Sequence, residues 1–114
     1  MNKELTREAD ALICLIYNAY MQKRKQGVSK GNAKMIGGSA VIRNELMTKW
    51  SLEDVDETCR ELGRSEFLDC VYSDDVVSES ALTDSAIKYM ENRFKNNAEE
   101  VLKHIETLKK IILF

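Results

Sequence analysis

The sequence predicts a mostly α-helical domain with one small β-hairpin. Three observations carry this. Apolar residues recur at helical spacing in several separate stretches. One stretch, residues 67–81, is rich in β-forming residues and is interrupted by Ser73-Asp74-Asp75, a turn composition. Ser or Thr stands where most helical stretches begin, the place where a hydroxyl accepts a free backbone N–H. With 114 residues the chain suits one domain with one core. A hydrophobic fraction of 44% excludes a disordered chain. No apolar run is long enough to span a bilayer. Residues 1–4 lack the order of a signal peptide, so a cytoplasmic protein without membrane contact is expected.

The first helix is expected over residues 6–26. Leu5, Ala9, Leu12, Ile16 and Tyr20 form its stripe and Thr6 its N-cap. Lys23, Arg24 and Lys25 suit the negative end of the helix dipole, before Gly27. Residues 27–39 read as a loop, or a loop with a helical turn near residues 33–36. Ser39 is expected to cap a second helix over residues 40–49. A third helix starts at Ser51, with Asp54 completing a capping-box-like pair and Trp50 stapling onto Val55. Its buried stripe is Leu52, Val55, Cys59 and Leu62. Residues 67–72 and 76–81 are the two strands, and Thr83 caps a fourth helix.

Residues 87–114 continue as helix, with a break near residues 96–97. There Val101, Ile105, Leu108 and Ile112 step by four, three and four, a short heptad seam extended backwards by Ala98 and Phe94. Such a seam folds back on its own core or pairs with a second copy. Dimerisation is the favoured expectation.

Helix, helix, capped helix, hairpin and helix, in that order, resemble the winged helix-turn-helix superfamily of small bacterial and prophage regulators. The most specific stretches are WSLEDVDETCREL and FLDCVYSDDVVSESALTDSAIKYMENRF, with Leu82-Thr83-x-x-Ala86-Ile87-x-Tyr89 after the hairpin. The resemblance implies a winged helix-turn-helix over residues 1–94 plus a long C-terminal helix over residues 95–114. It also implies that the third helix enters a DNA groove with the hairpin as wing. Members usually carry glycine just before the aromatic residue of the first wing strand. Here that place is Glu66, and the glycine stands at Gly63. Either the third helix ends at Gly63 or Glu66 takes a left-handed backbone.

The charge is uneven. Residues 11–44 hold no acid but contain Lys23, Arg24, Lys25, Lys30, Lys34 and Arg43; residues 45–84 are predominantly acidic. Two functions follow. The first is a dimeric regulator of double-stranded DNA. Thr58, Arg60 and Arg64 would reach bases, and Lys30, Lys34, Ser39, Arg43 and Lys49 would reach phosphates. Glu57–Arg60 and Glu61–Arg64 pairs would neutralise its groove face. The second is a protein-interaction module whose acidic face, Glu53, Glu57 and Glu61, binds a basic partner as an antagonist or DNA mimic. No spacing suggests a metal site or cofactor. The single histidine, His104, reads as a solvated surface residue, so enzymatic activity is not expected. Cys14, Cys59 and Cys70 read as reduced thiols.

Overall fold

Hydroxyl and amide side chains set the helix starts. In the computed structural model, which describes residues 4–95 and 97–114, Thr6, Ser29, Ser51, Thr83 and Asn97 each accept a backbone N–H at a helix N-terminus. These bonds fill donors that a helix leaves unpaired. The helices are α1 (Arg7–Lys25), α2 (Lys30–Lys34), α3 (Ser39–Glu45), α4 (Leu52–Arg64), α5 (Asp84–Phe94) and α6 (Ala98–Lys109). Between α4 and α5 lies an antiparallel hairpin of β1 (Leu68–Ser73) and β2 (Val76–Leu82). The order is compatible with a winged helix.

The hairpin turn places Asp74 and Asp75 at φ 51° and 62°. Two successive left-handed residues match the twist of the strands. Ser78 is an extra residue at the register shift opposite Val71 and Tyr72, and its hydroxyl donates to the Val71 carbonyl at 3.1 Å. The other edge of β2 is covered as well. Ile36 N–H donates to the Ser80 carbonyl at 3.0 Å, and Met35 bridges to Ala81. There α3 begins against the strand so closely that a Cβ on Gly38 would sit 2.6 Å from the Ser78 carbonyl oxygen. Glycine is required at that approach.

This contact moves the helix start away from its expected position. Gly38, not Ser39, is the N-cap of α3, and the helix stops at Glu45 rather than reaching Lys49. Leu52 also departs from expectation. It is 46% exposed, because the first turn of α4 projects beyond the core that buries Val55, Cys59 and Leu62.

α4 continues through Gly63, and Glu66 takes the left-handed conformation at φ 64°. Its N–H donates to the Gly63 carbonyl at 3.0 Å, and Phe67 N–H donates to the Leu62 carbonyl at 2.9 Å. These two bonds close the helix in a Schellman motif without its usual glycine.

α1 supplies the centre of the core with Ala9, Leu12, Ile13 and Ile16, and is packed on by α4, α5 and α6. The expected break before α6 is present: Lys95 ends α5 in a left-handed conformation and Asn97 caps α6, while Asn96 lies outside the described residues. The heptad seam has another use than the one expected. Val101, Ile105 and Leu108 are buried in the chain's own core, with α6 against α1. They offer no outer surface for a dimer seam, and Ile112 lies half-buried beyond them. From there the tail reaches back, and the Trp50 indole N–H donates to the Leu113 carbonyl at 2.5 Å.

The Glu66 backbone gives a direct test. Glu66→Val and Glu66→Gly remove the same side chain, but only valine suffers in a left-handed conformation. The valine variant is expected to be less stable than the glycine variant by about 1–2 kcal/mol or more. Urea unfolding midpoints of the two proteins measure the gap.

Candidate interaction face on α4 and the hairpin

At 100° per residue, α4 turns Val55, Thr58, Cys59 and Leu62 inward and Glu53, Glu57, Arg60 and Arg64 outward. The flanks between these faces are occupied by specific contacts. On one flank, Asp56 is buried. Its Oδ1 accepts the Ser39 hydroxyl at 2.5 Å and the Val77 N–H at 2.8 Å; its Oδ2 accepts the Arg60 Nε–H at 2.8 Å. One carboxylate thus holds the start of α3, the middle of α4 and the tip half of β2 together. Burial pushes this carboxyl up. The bonds from Ser39, Val77 and Arg60, with the Arg60 charge, outweigh burial and hold it below the ordinary carboxylate range.

Arg60 is fixed by the same node. Besides Asp56 it donates to the Asp75 carbonyl at 2.6 Å, and its guanidinium lies 4.9 Å from the Tyr72 ring centroid. The hairpin therefore folds down over α4, with Tyr72 also close to Gly63. On the opposite flank, Glu61 accepts from both the Thr6 N–H at 3.0 Å and the Thr6 hydroxyl at 2.7 Å. It buttresses the positive N-terminal end of α1.

These contacts sort the expected site residues. Thr58 is buried, its hydroxyl donating to the Asp54 carbonyl at 2.8 Å, so it does not project toward a groove. Ser39 is buried at 1% exposure and committed to Asp56, so its hydroxyl is not presented to a phosphate. Arg43 spans the α3–α4 turn, donating to the Trp50 carbonyl at 3.0 Å. Lys49 is exposed in that turn. Lys30 and Lys34 lie elsewhere, both paired with Asp84. The expected Glu57–Arg60 and Glu61–Arg64 pairs do not form. Arg60 goes to Asp56, Glu61 goes to Thr6, and Arg64 pairs with Glu57 at 3.3 Å.

Of the expected acidic face, Glu53 and Glu57 remain outward. The hairpin adds exposed Asp69, Asp74, Asp75 and Glu79, and the first turn of α4 adds Asp54. Only Arg60 and Arg64 oppose them on these elements. With Asp56 and Glu61 counted, α4 and the hairpin hold nine carboxylates against these two guanidiniums, a charge of −7 among the described residues. Val71, Tyr72 and Val76 expose apolar surface among these acids.

A second polar cluster ties α1, α5 and α6 together. Arg93 donates to both carboxylate oxygens of Asp10, at 2.5 and 3.1 Å, and approaches His104 Nε2 at 2.7 Å. His104 Nε2 also lies 3.0 Å from Asp10 Oδ2, so the imidazole stands between the guanidinium and the carboxylate. His104 is thus a half-buried structural partner, not the solvated residue expected. Asp10, Cys14 and His104 bring potential ligand atoms within 4.8 Å of one another. Arg93 already supplies the cation there. Burial, foremost, and the Asp10 charge push the Cys14 thiol up to about 12, far from a ready thiolate.

Asp56 gives the test for this site. Asp56→Asn is expected to cost about 2–3 kcal/mol at about pH 7, where the charge-assisted bonds are intact. Because the folded carboxyl is held low, its stabilisation is present above the unfolded value near 4 and fades as pH falls through the folded value. The gap between wild type and variant in urea midpoint should therefore shrink from about pH 7 to about pH 3. A pH-independent gap would contradict the charged node. No protein-family model, curated protein or solved structure matches this chain.

Proposed function

We propose that the chain is a winged-helix protein-interaction module whose acidic face binds a basic protein surface, as an antagonist or DNA mimic does. The carrying observation is the −7 charge on α4 and the hairpin. Those are the two elements that a DNA-reading winged helix would press against phosphates. Neutralising phosphates supplies most non-specific DNA affinity, and a carboxylate-rich surface opposes it. The same surface suits lysine- and arginine-rich partners. Exposed Val71, Tyr72 and Val76 provide the apolar contacts that charge alone lacks.

A dimeric regulator with α4 in a groove of double-stranded DNA is the second reading. Its support is Arg64, which stands exposed at the end of α4. A dimer would then use apolar surface off the seam, such as Leu102 and Ile111.

The readings diverge on one set of substitutions, Glu53→Gln, Glu57→Gln, Asp74→Asn and Asp75→Asn combined. With a fluorescent lysine- and arginine-rich amphipathic helical peptide as probe, anisotropy should show salt-sensitive binding that these substitutions weaken about tenfold or more. On a duplex DNA probe the regulator reading requires the same variant to bind more tightly, with the gain abolished by Arg64→Glu. No peptide binding at low salt, or peptide binding indifferent to the four substitutions, would sink the module reading.

A further inference from the structure

The acids gather on α4 and the hairpin, and the cations gather at another place. Where the C-terminal end of α1, α2 and the start of α5 meet, an open cleft of about 330 Å³ is lined by Tyr20, Arg24, Lys30, Asp84, Lys88 and Glu91. Lys34 joins it through Asp84, whose Oδ1 lies 2.6 Å from Lys34 Nζ and 3.7 Å from Lys30 Nζ. Lys23 reaches across from α1 and donates to the Met35 carbonyl at 3.0 Å, one residue beyond Lys34. Four cations, Arg24, Lys30, Lys34 and Lys88, thus stand with two carboxylates, Asp84 and Glu91, a local charge of +2, and Lys23 flanks them. The whole chain carries −2.

We infer that this cleft binds the phosphodiester backbone of duplex DNA, independently of the acidic face. Lys23 and Arg24 are held in place by neutral carbonyl oxygens, those of Met35 and Val28, so their charges are positioned but not cancelled. One carboxylate serves two lysines, which leaves an excess of donors for an anion. The acidic tip of the hairpin, Asp74 and Asp75, stands away from the cleft. Only Thr83 separates Asp84 from β2, whose seven residues span about 20 Å at the rise of an extended strand; Asp69, paired with Ala81, is the nearer acid. The strand's span exceeds two Debye lengths at physiological salt, about 8 Å each, so the acidic tip does not cancel the cleft.

The shape and chemistry favour a duplex. The cations are spread over three elements along an open cleft rather than converging on one enclosed anion. Tyr20, the aromatic in the cleft, is half-buried and stacked on Tyr17 with centroids 6.1 Å apart, so its ring is not free to receive an unstacked base. Phosphate contact without base reading gives binding that is indifferent to sequence.

Fluorescence anisotropy with a mixed-sequence duplex of about 20 base pairs, at about 50 and 200 mM salt, tests this. About four phosphate contacts predict a loss of roughly a hundredfold between those salts. Combined Lys30→Gln, Lys34→Gln and Lys88→Gln should weaken low-salt binding at least about tenfold and cut the salt slope by two to three. Circular dichroism melts check that the variant folds. Asp84→Asn approaches the question from the other side: it removes the competing carboxylate and should tighten binding severalfold. The proposal is overturned by any of four results: no wild-type binding at low salt; the triple variant, folded, binding like wild type; Asp84→Asn leaving affinity unchanged or weaker; or single-stranded DNA, RNA or polyglutamate binding as tightly as the duplex.

Discussion

The buried Asp56 carboxylate is the constraint on which the α4–hairpin face depends. It accepts from a side chain on α3, from a backbone N–H on β2 and from a guanidinium on its own helix. Each partner belongs to a different element, so the node fixes three orientations at once. A charge in that position is costly unless every lone pair is engaged. Engaged as it is, the carboxylate locks the hairpin over α4 and withdraws Arg60 from free solvent. A winged helix that reads DNA needs its α4 cations free to extend. Here one is part of the frame.

The same arrangement explains why a chain of nearly balanced charge carries such uneven surfaces. Two acids of the central segment, Asp56 and Glu61, are used internally. The others, on the outer ridge and hairpin, stay exposed, with Glu57 paired to Arg64 and Asp75 beside Arg60. Among the described residues, Lys30 and Lys34 pair with Asp84, and Lys23 and Arg24 bond to carbonyls. The hairpin tip and this cationic end thus lie at opposite ends of β2. Net charge, close to zero, describes neither.

Local grammar was legible in the sequence; distant pairing was not. Thr6, Ser51 and Thr83 cap helices as their spacing predicts, because a cap and its N–H partner lie three residues apart. The hairpin turn followed from Ser73-Asp74-Asp75 for the same reason. Sequence reasoning placed Ser39 wrongly because its position is decided by the approach of Gly38 to β2, some forty residues on. The Glu61–Thr6 and His104–Asp10 contacts span 55 and 94 residues, beyond any periodicity. The heptad seam shows the complementary ambiguity. Val101, Ile105 and Leu108 specify a buried stripe, but the pattern is the same whether the cover is a second chain or, as here, α1.

The reach of the tail to Trp50 has a practical consequence. This is the only tryptophan in the chain, and its indole N–H is held by the carbonyl of Leu113, the second-last residue. Its emission is therefore a native optical gauge of whether the last residues are seated on the α3–α4 turn. Indole fluorescence responds to loss of such a bond and to water arriving in its place. Release of the tail, by truncation or by a partner docking beside the turn, can be followed in the unlabelled protein while the rest of the fold stays intact.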